Sequence, residues 1–220
     1  MKNMASQSQA SWAVILGDQI ASRNVGDRER ELIVQRQRLD EINSLRSDLL
    51  AVPFSSSGGD EIQALVSTPG DAWEVLATLD SNSWLLQFRF TVGVGELSTS
   101  LRDRTWEMDG SCFHRAREAM DDAKREHRWI MFRGMGARSD REVNGVVRAL
   151  QVIRDGWTQR QRTAITYRRH AELQTAAAEL MGLDQSTMSK MLKAAHYKEY
   201  LEIEDVLRSL LTAPEGLVPK

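Results

Sequence analysis

The segment Ser56-Ser57-Gly58-Gly59-Asp60-Glu61-Ile62, read together with Gly17-Asp18 upstream, carries residue types that handle nucleotides. Asp18 closes the apolar run Trp12–Leu16, and Asp60 sits on a glycine turn between two short strand patterns. Carboxylates brought together from two such turns can hold Mg²⁺ against phosphates, because Mg²⁺ takes hard oxygen ligands and shares them with its substrate. Gly58 and Gly59 let backbone come close to a base or a phosphate, and Gly93 and Gly95 would do the same from within a neighbouring strand. Glu61, Asp109, His114 and Arg117 add polar groups. Arg23 and Arg28 stand at the expected start of a helix, where a guanidinium and the helix N-terminus both favour anions. The expected ligand set is therefore Asp18, Arg23, Gly58, Gly59, Asp60, Glu61, Gly93, Gly95, Asp109, His114 and Arg117, with Asp18 and Asp60 as the Mg²⁺ pair. A Gly-Gly-Asp triplet alone is also an ordinary hairpin turn. The expectation rests on the whole set sharing one topology.

A second constellation lies near the C-terminus. Gly182 reads as a turn, with Ala178 four residues before it and Met188, Met191 and Leu192 facing back into a core. This is helix-turn-helix spacing, in which the second helix enters the major groove. That helix is expected from about Gln185 to Ala195, with Asp184 as its N-cap. Its outward residues are Gln185, Ser186, Thr187, Ser189, Lys190 and Lys193. Gln and Ser can read base edges, and Lys can meet phosphate or guanine. Between Trp157 and Lys198 seven basic residues (Arg160, Arg162, Arg168, Arg169, Lys190, Lys193, Lys198) stand against three acidic ones (Glu172, Glu179, Asp184). Local positive charge is what attraction to phosphate requires. The alternative is a helical bundle used for dimerisation. The strip Leu201, Ile203, Val206, Leu207, Leu210 and Leu211 reads as core or as a dimer seam.

The elements that must position these residues follow from pattern. Trp12–Leu16 reads as a buried strand, and Arg28 to Leu50 as a long amphipathic helix ended by Pro53. Phe54–Ser57 and Glu61–Ser67 read as a hairpin, and Asp71–Leu79 as a helix with Asp71 favouring its N-terminus. Phe88, Phe90, Val92 and Val94 alternate with Gln87, Arg89, Thr91 and Gly93 in a strand over Trp84–Leu97. Gly110–Glu126 is helical, and Trp129–Phe132 a further strand. The order gives an α+β fold: a ferredoxin-like, palm-like sheet domain over residues 12–137, with a mostly antiparallel sheet and helices on one face. An all-α helix-turn-helix domain follows over 138–212, with a connector helix at Ser139–Ile153 and a break at Asp155-Gly156. Residues 1–11 read as a disordered lead-in and 213–220 as a loose tail.

The ordered pieces Gly17-Asp18-Gln19-Ile20-Ala21-Ser22-Arg23, Gly59-Asp60-Glu61-Ile62-Gln63, Arg89-Phe90-Thr91-Val92-Gly93-Val94-Gly95-Glu96 and Asp109-Gly110 with Ala116-Arg117-Glu118 resemble the SatD family of bacterial proteins. The same pieces are more distantly similar to nucleotide cyclase palms. Asp18 falls where class III cyclases and GGDEF diguanylate cyclases keep a first metal-binding aspartate. Gly58 to Ile62 reads Gly-Gly-Asp-Glu-Ile, one residue from the GGDEF signature, which implies Asp60 as second ligand. Gly110-Ser111-Cys112-Phe113-His114 resembles the cyclase segment that ends in a transition-state asparagine, but His114 stands there. Glu118 stands where an arginine would follow, with Arg117 adjacent. These departures imply a domain that binds a nucleotide without cyclising it. The C-terminal part is similar to sigma-factor region 4 and to small winged-helix regulators.

Composition narrows the function classes. The chain of 220 residues has 29 basic and 31 acidic residues, so contact with DNA must come from a local patch. One cysteine, Cys112, excludes an internal disulfide and points to a reducing compartment, the cytoplasm. No apolar run reaches the roughly 20 residues of a membrane span, and the start lacks the apolar core of a signal peptide. No Ser-His-Asp order, P-loop or Rossmann fingerprint is visible. His127, His170 and His196 lack metal-ligand spacing. Three readings follow. The first is a homodimeric regulator that binds double-stranded DNA under control of a nucleotide or nucleotide second messenger. The second is an active Mg²⁺-dependent nucleotidyl cyclase or phosphotransfer enzyme with a DNA-binding appendage. The third is a helical interaction protein.

Overall fold

The run Ala13–Leu16 is buried because it forms the middle of the central strand of a five-stranded sheet. The computed structural model describes residues 11–20, 28–56, 61–81, 88–171 and 173–212. Strands β1 (Trp12–Gln19), β2 (Leu50–Ser56), β3 (Glu61–Val66), β4 (Phe88–Gly95) and β5 (Ile130–Arg133) stand in the order β2-β3-β1-β4-β5. All neighbours are antiparallel except β4 and β5, which are parallel. Helices α1 (Arg28–Leu45), α2 (Pro69–Ser81) and α3 (Ser111–Arg125) make the three crossovers, α3 joining the parallel pair. The fold is α+β.

Both faces of the sheet are covered. On one face Ile15, Phe54, Ile62, Phe90, Val92 and Phe132 pack with Leu39 and Ile42 of α1 and Trp73 and Leu76 of α2. On the other, Val14, Leu16 and Leu65 pack with Cys112, Phe113, Ala116 and Met120 of α3. Residues of β4 alternate between the two, which is why nearly the whole strand is buried. Thr68 and Asp71 cap α2 reciprocally, each side chain accepting the other's backbone N–H at 3.0 and 3.1 Å.

The first helix is shorter than its apolar spacing predicts. It ends at Leu45, not near Leu50, and Pro53 lies inside β2. Arg46 fixes the corner by donating to Glu74 O and Thr78 Oγ1 of α2, at 3.1 and 2.8 Å. β2 is an edge strand, where a residue without N–H is tolerated, and its register shifts between Leu50 and Val52 and again between Val52 and Ser55, across Pro53. At one residue of each edge strand an asparagine takes both backbone groups. Phe54 of β2 donates to Asn43 Oδ1 (2.7 Å) and accepts from Asn43 Nδ2 (2.9 Å). Phe132 of β5 makes the same pair of bonds with Asn144 of α4 (Ala137–Asp155), at 2.8 and 2.7 Å.

The helical remainder comprises α4, α5 (Gln159–His170), α6 (Gln174–Leu180), α7 (Gln185–Ala194) and α8 (Tyr197–Thr212). Gly156 follows α4 as its C-cap, at the expected break. Thr158 and Gln161 form a capping box at the start of α5. One buried cluster runs from the sheet through Val143, Val147 and Leu150 of α4 to Trp157, Met188, Tyr200 and Leu207. The C-terminal leucine strip is mostly core: Leu207 and Leu211 are buried, Leu201, Ile203 and Leu210 pack against them, and Val206 is exposed. Charge also joins the parts. Arg208 of α8 meets Glu74 of α2 at 2.7 Å, and the deeply buried Glu204 meets Arg169 of α5 at 2.9 Å. No helix among the described residues is long and apolar enough to cross a membrane.

Candidate functional site

Asp18 lies at the end of β1 with Glu61 directly opposite on β3 and Arg89 directly opposite on β4. Opposed residues of antiparallel strands share a face, so the three side chains form one row across the sheet. It is the face of Leu16 and of α3, because Asp18 Oδ1 accepts from Lys124 Nζ of α3 at 2.8 Å. Arg89 Nε donates to Arg128 O at 2.9 Å. Two carboxylates and two cations thus meet at one end of the sheet. Asp18 and Glu61 are hard oxygen ligands of the kind Mg²⁺ takes. The ammonium of Lys124 already sits on one of them, and a cation binding Asp18 would displace it. Among the described residues no group of three potential metal ligands converges. Arg23 and the Gly58–Gly59–Asp60 triplet lie outside the described residues, Asp60 next in sequence to Glu61.

The register separates the remaining expected ligands from this end. Trp12 pairs with Gly95, whereas Asp18 pairs with Arg89. Asp109 and His114 stand beside the Gly95 end, about 20 Å away along β1 at a strand's rise per residue. There Asp109 Oδ1 accepts from Gly110 N at 2.8 Å and faces His114 Nε2 at 3.2 Å, with both side chains largely exposed. Arg117 is exposed further along α3. The room that Gly93 and Gly95 were expected to leave for a ligand is filled by α3. A Cβ on Gly93 would lie 2.1 Å from Cys112 O, and one on Gly95 2.4 Å from Ser111 Oγ. The glycines admit a helix at close range, and Thr91 Oγ1 fastens it by donating to Ala116 O at 2.8 Å. One topology holds all these residues, but it does not gather them into one pocket.

The C-terminal residues form a separate surface. Helices α5, α6 and α7 contact one another in a three-helix unit. Gly182 between α6 and α7 has φ +64, and Leu183 N donates back to Ala178 O at 2.9 Å, closing the turn. Met188 and Leu192 anchor α7 to the core. Gln185, Ser186, Ser189, Lys190 and Lys193 are exposed. Thr187 is engaged instead: its N–H and Oγ1 donate to the two carboxylate oxygens of Asp184 at 2.9 and 2.7 Å. Those bonds hold the Asp184 carboxyl below the usual carboxylate range. Of the seven basic residues counted in this region, Arg169 pairs with Glu204 and Lys198 with Glu202, at 2.9 and 3.6 Å. Arg160, Lys190 and Lys193 make no ion pair among the described residues.

A family model described as the SatD family matches residues 12–211, from the first residue of β1 almost to the end of α8. The chain belongs to the SatD family. The match takes in the sheet and the C-terminal helices together, so both are part of what makes this a SatD protein. A comparison with curated proteins found no match.

Two charged members of the SatD sheet end escape the sequence pattern. Lys124 lies in a helix rich in charge, and its partner is 106 residues away. Arg89 reads from sequence as an outward residue of an alternating strand and opens one of the family-like pieces, without a partner being indicated. Register and helix placement bring them to Asp18, and neither is local information.

Proposed function

We propose that this SatD protein is a DNA-binding transcriptional regulator whose sheet region senses a nucleotide. The observation that carries the reading is α7: a helix anchored by Met188 and Leu192, capped by Asp184, and presenting Gln185, Ser189, Lys190 and Lys193 to solvent. The tight turn at Gly182 supports reading α6 and α7 as a helix-turn-helix, with α7 as the recognition helix. A homodimer would offer two such helices to two half-sites, and action on DNA would put the protein in the cytoplasm. The strand order β2-β3-β1-β4 with α1 and α2 on one face supports a ferredoxin-like, cyclase-palm-like sheet. The row Glu61–Asp18–Arg89 with Lys124 supports a phosphate or Mg²⁺-nucleotide contact at its end.

For binding to regulate, the nucleotide must prefer one arrangement of the C-terminal helices. The path runs through α8, which is tied to α2 by Arg208–Glu74 and to α5 by Glu204–Arg169. Fluorescence anisotropy on random and genomic duplexes, with and without nucleotides, tests both halves. Binding that steepens at low salt and weakens in Lys190→Ala and Lys193→Ala supports the DNA surface. Affinity indifferent to every nucleotide tried would remove the sensor.

The facing carboxylates Asp18 and Glu61 favour a second reading, a Mg²⁺-dependent nucleotidyl cyclase or phosphotransfer enzyme. Mass spectrometry of the protein incubated with ATP or GTP and Mg²⁺ separates the two. A new product lost in Asp18→Asn supports the enzyme, and unchanged substrates support the sensor.

A further inference from the structure

Between α1 and the edge strand β2 lies a groove of ≈ 380 Å³, within the size range of small-molecule sites. Leu39 and Phe54 form its apolar part, and both are buried. Gln35 and Ser55 line it as well, and Gln35 Nε2 and Ser55 Oγ are buried with no hydrogen-bond partner among the described residues. Buried polar atoms are nearly always paired, and one left unpaired is costly. Here two belong to residues that line the same groove. Arg36 and Asp40 complete the lining, exposed, four residues apart on α1, and without an ion pair among the described residues. Ser56 closes the groove and leads in sequence into residues 57–60.

The side-chain inventory restricts the occupant. Leu39 and Phe54 suit a flat apolar face. The Gln35 amide donates, the Ser55 hydroxyl donates or accepts, and the Asp40 carboxylate only accepts. Arg36 brings a planar guanidinium suited to phosphate. A sugar would waste the apolar part, and an acyl chain would leave Gln35, Ser55 and Asp40 unmet. A nucleotide meets all of them. Its ring has apolar faces, its ring nitrogens or carbonyl accept, its N–H edge donates, and its phosphates are anionic.

We propose that the α1–β2 groove binds the base of a nucleotide, with Gln35 and Ser55 donating to base acceptors and Asp40 accepting from its N–H edge. The proposal rests on the nucleotide-sensing reading above and adds the place of the base. Isothermal titration of the full chain with GTP, ATP and CTP in Mg²⁺ tests it. At least one of the three binds. Gln35→Met and Ser55→Ala each weaken that binding about tenfold, the size of one hydrogen bond. Both variants also unfold at the same or higher denaturant concentration than the parent without ligand, because each removes a buried polar atom that has no partner. Leu39→Trp, which fills the groove, abolishes binding. Nucleotide affinity unchanged in all three variants overturns the groove and leaves the sensor standing. Variants that lose stability without ligand show Gln35 and Ser55 to be structural, which overturns it too. A parent that binds none of the three nucleotides removes the groove and the sensor together.

Discussion

Lys124 Nζ sits 2.8 Å from Asp18 Oδ1, joining the last turn of α3 to the end of the central strand. The pair is partly open to solvent, and such pairs contribute about 0–1 kcal/mol. Lys124→Met therefore leaves the fold close to its parent stability. It also strips the ammonium from Asp18 while Glu61 still faces it. The melting temperature of Lys124→Met then rises more on adding Mg²⁺ than that of the parent. Equal shifts would take Asp18 off the roster of metal ligands.

Gly93 and Gly95 differ in what presses on them. A methyl at position 93 meets Cys112 O and Ala116 N, backbone atoms of α3 that cannot step aside. A methyl at position 95 first meets Ser111 Oγ, which can rotate away at the loss of its bond from Glu96 N. Gly93→Ala destabilises by about 3 kcal/mol or more, and Gly95→Ala by about 1–3 kcal/mol. Urea denaturation of the two variants gives the order directly, and an equal or reversed order contradicts it.

What the sequence disclosed follows the range of each signal. The stop of an apolar run at Gly17-Asp18 located the strand end that carries Asp18, and alternation of Phe88, Phe90, Val92 and Val94 located β4. Asp184 announced α7. Those are local patterns. Gly93 and Gly95 announced a close approach, but a missing side chain tells that an atom comes near without telling whose, and it was α3. Asp109 and His114 fit the same topology as Asp18, yet register puts them at the other end of the sheet. Pro53 read as a helix stop because its place on an edge strand is a fact of the whole sheet. The groove residues Gln35 and Ser55 gave no signal, since neither type nor spacing marks a polar atom that burial will strand.

Glu204 is 2 % exposed and holds Arg169. Cutting one partner of a buried pair leaves the other charge stranded, at about 3–5 kcal/mol. Glu204→Leu and Arg169→Met should each lose stability on that scale. The double variant Arg169→Met with Glu204→Leu should recover most of it, since Arg208 keeps Glu74 and Asp205. A double-mutant cycle in guanidinium measures the difference, and additive losses would show that the pair is not coupled.

Cys112 is fully buried on the inner face of α3, and burial pushes its thiol up to about 11. The unfolded thiol titrates near 8.5. The folded state therefore holds this proton more tightly, and the associated stability is complete below about pH 8.5 and falls away as pH rises toward 11. With one cysteine in the chain, a thiol reagent at pH 8 modifies the folded protein only as fast as α3 opens. Labelling that outruns amide exchange of α3 would contradict that burial.

Asp184 gives the opposite sign. Its hydrogen bonds from Thr187 hold its carboxyl low, so its contribution is present above the ordinary carboxylate range and is lost as pH falls through and below about 3.9. Amide exchange at the start of α7 quickens over that acid range in the parent. In Asp184→Asn, whose amide still caps but does not titrate, that acid-dependent quickening disappears. Equal pH dependence in both would assign the acid response elsewhere.

The asparagines on Phe54 and Phe132 decide what company the protein keeps. Each takes up the donor and the acceptor that an arriving strand would meet at that residue, so a second copy cannot pair there without displacing an asparagine. Two copies are thereby turned from these positions toward contacts through helices and loops. Such contacts separate again, whereas strands zipped edge to edge rarely do.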